Sequence, residues 1–123
     1  MSTTVVLVED DHDVRALLAL SLPIYADIVI VGEAATMAEA RSVLADTRPD
    51  VAVLDIGLPD GSGADLIGFP AESPPVAVIL SAQVAGGHEA LITRGAAAVL
   101  DKPAAPADVA AAVIRVSQSR PST

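Results

Sequence analysis

Five short runs of aliphatic residues punctuate the chain: Val5-Val6-Leu7-Val8, Ile28-Val29-Ile30-Val31, Val51-Ala52-Val53-Leu54, Val76-Ala77-Val78-Ile79-Leu80 and Ala97-Ala98-Val99-Leu100. Within each run the apolar positions are continuous rather than alternating. A strand with one wet face alternates. A continuous run predicts a strand buried on both faces, as in a parallel sheet covered by helices. The gaps between runs are close to equal and read mostly as helices. Val14, Leu17, Leu18 and Leu22 fall at helical spacing, and Pro23 predicts the stop. Thr36-Met37-Ala38-Glu39 fits a capping box ahead of a stripe of Met37, Ala40, Val43 and Leu44. A short helix is predicted over His88–Arg94, closed by Gly95 as a left-handed cap. Pro106 suits the first turn of a last helix with Val109, Val113 and Val116 on one face. The third gap differs. Ala64–Phe69 is brief, contains Gly68 and runs into Pro70, Pro74 and Pro75, so a stunted helix or an irregular loop is expected there. Five such repeats predict a doubly wound α/β sandwich with right-handed crossovers. The domain is expected over residues 1–117, and 118–123 as a polar tail or the start of a linker.

In open α/β sheets the functional crevice lies beyond the carboxyl ends of the strands. The first run is followed by Glu9-Asp10-Asp11, the third by Asp55, the fourth by Ser81 and the fifth by Asp101-Lys102-Pro103. The second is followed by Gly32-Glu33, with no comparable cluster. A strand order of 2-1-3-4-5 makes the four chemically loaded ends contiguous and sends the quiet strand to the edge.

Composition narrows the chemistry. The 123 residues suffice for one domain, and 52% are apolar. Seven basic residues against 16 acidic ones give a formal charge of -9. That disfavours direct nucleic-acid contact and an anionic membrane surface, both of which need clustered positive charge. The absence of cysteine removes thiolate nucleophiles, disulfides and Cys-ligated metals. No export signal or apolar run of membrane-spanning length is seen, so a cytoplasmic protein is expected.

Glu9, Asp10 and Asp55 converge if strands one and three are adjacent. Like charges this close repel unless a cation sits among them. Oxygen donors without His or Cys suit Mg²⁺. Any one of these acids alone is more simply a solvated turn residue, and acids are common at helix starts; the convergent set is not. Lys102 is the only lysine in the chain. Its compact ammonium can pair with the carboxylates or stabilise a bound phosphoryl group, although a lone lysine before a loop proline is as often an ordinary surface residue. Lys102-Pro103 can adopt a cis bond at low cost. Ser81 can donate a hydroxyl hydrogen bond to an anion, or simply form a turn. Leu58-Pro59-Asp60-Gly61-Ser62-Gly63 predicts a tight loop beside Asp55, without the spacing of a phosphate-binding glycine loop. His12 and His88 are read as solvent-side residues near helix starts, without a role.

Taken together, Val5-Val6-Leu7-Val8-Glu9-Asp10-Asp11, Val53-Leu54-Asp55-Ile56-Gly57-Leu58-Pro59-Asp60-Gly61, Ser81-Ala82 and Leu100-Asp101-Lys102-Pro103 resemble the receiver domain of bacterial two-component response regulators. The resemblance covers essentially the whole chain and implies a flavodoxin-like, CheY-like fold. Ile30-Val31-Gly32-Glu33-Ala34 also resembles the LuxR/NarL-type subgroup, whose members usually carry a C-terminal helix-turn-helix. The family pattern implies that Asp55 is the phosphoacceptor, a carboxylate that forms an acyl phosphate. It implies that Glu9, Asp10, Asp55 and the backbone carbonyl of Gly57 hold Mg²⁺. Lys102 would contact the phosphoryl oxygens, and Ser81 would turn toward them and draw the following loop along. The implied partner is a sensor histidine kinase or phosphotransfer protein. A homodimer is open, and the domain is not expected to be an enzyme beyond its own phosphotransfer and dephosphorylation.

Three departures from the family stand out. Val99 occupies the usual position of a switch aromatic, Ala104 replaces a common aromatic after Lys102-Pro103, and the third helix is abbreviated. Val99, Ala104 and the Ala-rich last helix motivate an alternative, a receiver-like dimerisation or docking module that works without phosphorylation. A Mg²⁺-dependent phosphatase of the haloacid dehalogenase type fits poorly. It wants its nucleophile on the first strand and a second acid two residues on, where this chain has Gly57.

Overall fold

The computed structural model describes residues 2–82 and 87–118. In chain order it contains β1 (Thr3–Val8), α1 (His12–Tyr25), β2 (Ile28–Ala34), α2 (Met37–Thr47) and β3 (Val51–Asp55). A hairpin of β4 (Gly57–Leu58) and β5 (Gly61–Ser62) follows, then a single 3-10 turn (Gly63–Leu66), β6 (Val76–Ser81), α3 (His88–Thr93), β7 (Ala98–Asp101) and α4 (Pro106–Gln118). β2, β1, β3, β6 and β7 pair in that order, all parallel. Counted without the hairpin, this is the expected 2-1-3-4-5 order.

The continuous runs are explained by the two cores. Side chains of one strand alternate between faces. Val5, Leu7, Val51, Val53, Val78 and Leu80 turn to the face covered by α1 and α4. Val6, Val8, Ala52, Leu54, Ala77 and Ile79 turn to the face covered by α2, the 3-10 turn and α3. Both sets are almost fully buried, so neither face can be polar. At about 1.5–3 kcal/mol for each buried aliphatic side chain, these strands carry most of the driving force for the fold.

The local expectations fare differently. Pro23 lies inside α1, and the helix continues to Tyr25. Pro23 costs one intrahelical bond, and the ladder resumes where the Ala26 N–H donates to the Leu22 carbonyl at 3.3 Å. Of the residues at helical spacing in α1, Leu17 is 54% exposed, whereas Leu18 and Leu22 are buried. The third gap holds a stunted helix, as expected: a single 3-10 turn, preceded by the small hairpin. The predicted His88–Arg94 helix ends at Thr93, with Gly95 at φ +114 just beyond it. Helix α4 includes Gln118; the rest of the expected tail, 119–123, lies outside the described residues.

The N-terminus of α2 is tied down from two sides. The Thr36 hydroxyl accepts the Glu39 N–H, and the Glu39 carboxylate accepts the Ala35 N–H. Asp60, at the hairpin tip, accepts the N–H groups of Met37 at 2.7 Å and Ala38 at 3.2 Å. The amides left open by the start of the helix are thereby satisfied, and the hairpin beyond β3 is fastened to α2. The Met37 N–H bond, foremost, holds the Asp60 carboxyl below its ordinary value of 3.8. A depressed carboxylate contributes stability above its unfolded pKa and loses it as pH falls through the folded one. Asp60→Ala is therefore expected to speed amide exchange at Met37 and Ala38 at neutral pH, as read by NMR, with the interior of α2 little changed. Unaltered exchange at those two amides would show that the cap is not populated in solution.

Candidate functional site

The strand order places the ends of β1, β3, β6 and β7 side by side, and the backbone fixes their levels. The Glu9 N–H donates to the Ala34 carbonyl of β2 at 3.0 Å, and the Ile56 N–H to the Leu80 carbonyl at 3.1 Å. The Lys102 N–H donates to the Ser81 carbonyl at 2.8 Å. The residues beyond the strands are thus held in register with the sheet.

The three consecutive acids after β1 have different fates. Glu9 turns inward and is buried, with its side chain only 2% exposed. Asp10 is exposed. Asp11 caps α1, its carboxylate accepting the N–H groups of Asp13 at 2.9 Å and Val14 at 3.2 Å. Only Glu9 and Asp10 join Asp55, and one carboxylate oxygen from each lies within 4.8 Å of the others. Asp55 ends β3 and is buried. Its Oδ1 accepts the N–H of Gly57 at 3.3 Å. Gly57 opens β4 and lines the same cleft, of about 480 Å³, with Asp10, Asp55, Ile56, Ala82 and Lys102.

Lys102 reaches this cluster from the far end of the sequence. Its Nζ lies 2.8 Å from Glu9 Oε1 and 3.4 Å from Asp55 Oδ2. The bond to Pro103 is cis. Partial burial alone would lower the pKa of the ammonium. The hydrogen bond to Glu9 and the negative charges of Asp55 and Glu9 outweigh that and hold it above 10.5. Three carboxylates around one ammonium leave net negative charge in a partly desolvated cleft with oxygen donors only, an arrangement that fits a hard divalent cation. Ser81 is the last residue of β6 and is buried.

Other contacts escaped the sequence reading. Arg15 Nη1 donates to the Glu9 carbonyl at 2.8 Å, and its Nε lies 3.3 Å from Glu33 Oε1. Glu33, on the strand end taken as quiet, therefore braces the arginine that holds the β1–α1 loop. His88, read as without a role, places Nε2 2.7 Å from Asp101 Oδ1 and links the start of α3 to the end of β7. Neither pair has a local signal, because the partners are brought together only by the crossovers.

Comparison with known proteins agrees with this geometry. The family model for the response regulator receiver domain matches residues 5–114. The DNA-binding transcriptional activator DevR/DosR of Mycobacterium tuberculosis is 48% identical over 63 residues, covering 50% of this chain and 29% of its own length. The KDP operon transcriptional regulatory protein KdpE of Escherichia coli is 33% identical over 103 residues, covering 82% of this chain and 45% of its own. The chain thus spans less than half the length of either relative. Among solved structures, the signal receiver domain of NarL from Mycobacterium tuberculosis superposes with a TM-score of 0.87 at 26% identity, covering 97% of this chain and 98% of that one. No described helix is long and apolar enough to cross a membrane. With acidic residues, a serine and a lysine gathered at the ends of a sheet of this order, the chain belongs to the response regulator receiver domain family.

Proposed function

We propose that this domain accepts a phosphoryl group on Asp55 and relays its phosphorylation state as a two-component signal. The observation that carries the reading is the meeting of Lys102 with both Glu9 and Asp55 across the ends of β1, β3 and β7. The partner is a phosphorylated histidine of a sensor kinase or phosphotransfer protein. A carboxylate oxygen of Asp55 forms the new P–O bond as the P–N bond of the donor breaks, and the imidazole leaves and takes up a proton. The product is an acyl phosphate, which water later hydrolyses back to the free carboxylate.

Glu9, Asp10, Asp55 and the Gly57 carbonyl are the groups that would hold Mg²⁺. When bound, the ion offsets charge on the carboxylate and on the transferring group. Gly57 N–H fixes one oxygen of Asp55. Lys102, already beside Asp55, pairs with the phosphoryl oxygens once they arrive, and Ser81 adds a hydroxyl donor from the neighbouring strand end. The modification brings about two negative charges to the cleft. Its effect passes to the segment after β6; residues 83–86 of that segment lie outside the described residues. The domain is not an enzyme acting on an external substrate, and its setting is the cytoplasm.

Acetyl phosphate with Mg²⁺ should add the mass of one phosphoryl group to the intact protein. A folded protein that gains no mass from several small phosphodonors would overturn the reading. Val99, half-buried where the family usually places an aromatic switch, favours the second reading of a docking module that ignores phosphate. That module would keep the same partner affinity and oligomeric state with and without a phosphate analogue.

Lys102→Met tests the electrostatics directly. It leaves buried Glu9 and Asp55 without their ammonium, and is expected to cost about 1–3 kcal/mol in Mg²⁺-free buffer. Added Mg²⁺ should recover part of that loss, since it supplies the missing positive charge. The wild-type contribution follows the raised lysine pKa: it is complete below the unfolded value of 10.5 and disappears as pH rises through the folded one. Denaturation curves at neutral and strongly alkaline pH should therefore converge for wild type and variant only on the alkaline side.

A further inference from the structure

Arg15 is the fourth residue of α1. A cation so near the start of a helix works against the helix dipole, so its place there calls for partners elsewhere. Side chains of a helix lean toward its N-terminus, which sends Arg15 back over the β1–α1 loop. Its side chain is only 17% exposed. Nη1 donates to the carbonyl of Glu9 at 2.8 Å, and Nε lies 3.3 Å from Oε1 of Glu33 near the end of β2. A guanidinium can serve both because its donors are spread over a rigid planar fork.

The carbonyl it holds belongs to the peptide that joins Glu9 to Asp10. One carboxylate of this pair is buried and the other exposed, yet both offer an oxygen within 4.8 Å of Asp55. Glu9 is engaged at its other polar atoms as well. Its N–H donates to the Ala34 carbonyl, Oε1 accepts from Lys102, and Oε2 accepts the N–H of Asp11. Without Arg15 the peptide after Glu9 is free to turn about its flanking bonds. Asp10, which lies past the last residue of β1, would then swing away from Asp55.

We infer that Arg15 is a positioning residue for cation binding. It fixes the Glu9–Asp10 peptide so that both carboxylates meet Asp55, while Glu33 holds Arg15 in place and offsets its charge. This role rests on the reading of Glu9, Asp10 and Asp55 as the Mg²⁺ site. Charge alone predicts the opposite sign. A cation beside a cation site repels the incoming ion, so its removal would tighten binding. A residue that only stabilised the fold would leave the affinity of the folded chain unchanged.

Mg²⁺ titration of the intact chain, followed by the NMR shifts of the Asp10 and Gly57 amides, separates these cases. It is run where circular dichroism shows each variant folded. Arg15→Ala should weaken Mg²⁺ binding at least about tenfold. Arg15→Lys should also weaken it, by a smaller factor, because one compact ammonium does not span both partners; charge alone predicts no change there. Glu33→Gln should weaken binding in the wild-type background and weaken it less in the Arg15→Ala chain, since Glu33 acts through the arginine. Either Arg15 variant, folded and binding Mg²⁺ as tightly as wild type or more tightly, would overturn the inference and leave the metal site standing. Equal effects of Glu33→Gln in the two backgrounds would do the same. A wild-type chain whose cleft amides ignore millimolar Mg²⁺ would overturn the metal reading itself, and this role with it.

Discussion

Asp55→Asn is expected to abolish uptake of a phosphoryl group from acetyl phosphate or a phosphohistidine donor while leaving the fold intact. The amide has almost the shape of the carboxylate but no anionic oxygen to attack phosphorus. Its carbonyl can still accept the Gly57 N–H that Asp55 Oδ1 accepts at 3.3 Å. Lys102 keeps its 2.8 Å contact with Glu9, so the ammonium is not stranded. One of three crowded carboxylates disappears, which relieves repulsion. Stability in Mg²⁺-free buffer should therefore change by no more than about 1 kcal/mol in either direction. Intact-mass measurement after incubation with donor and Mg²⁺ reads the outcome. A mass gain in the folded variant would move the phosphoacceptor to another residue, with exposed Asp10 the nearest candidate.

That pocket was legible in the sequence for a specific reason. The burial of β1, β3 and β6 on both faces, with β7 partly buried at the edge, forces continuous apolar runs, and such runs cannot be mistaken for one-sided strands. Their ends are then fixed to a residue or so, and the polar residues that follow must fall at one edge of the sheet. Glu9, Asp10, Asp55, Ser81 and Lys102 could be gathered on that basis before any coordinates. What escaped was whatever depends on a partner brought from elsewhere. Asp11 was given no role of its own, and its carboxylate is engaged at the start of α1. Asp60 read as a turn former, and its grip on α2 spans 22 to 23 positions. Glu33 and His88 found Arg15 and Asp101 only through the crossovers. Pro23 was misjudged because a proline near a helix end sacrifices a single bond, and the turn that remains can close around it. Leu17, at helical spacing with Val14, Leu18 and Leu22, is nonetheless largely exposed, because the helix has more apolar positions than its contact with the sheet and α4 can cover.

Gly63→Ala is expected to be the most damaging single-methyl change in the chain's glycine positions that flank the site. Gly63 follows β5, and its N–H donates to the Ile56 carbonyl at 3.0 Å. A β-carbon placed there would overlap the carbonyl oxygen of Asp55 and press on its carbonyl carbon. Those are backbone atoms of a strand paired on both sides, so they cannot swing aside as a side-chain tip can. Either the hairpin lifts from β3 or Asp55 shifts, and the loss should be at least about 3 kcal/mol, large for the addition of one methyl. Two other glycines supply the scale. At Gly32 the added carbon would meet Cγ1 of Val43, the end of a side chain on α2, and a cost of about 1–2 kcal/mol is expected as that valine repacks. At Gly57 nothing lies within 4 Å, and the substitution should be close to neutral. Urea denaturation of the three alanine variants should rank Gly63 far below Gly32, and Gly32 below Gly57. If Gly63→Ala unfolds with the wild-type midpoint, the hairpin does not close against β3 in solution, and the support it gives to Asp55 is absent.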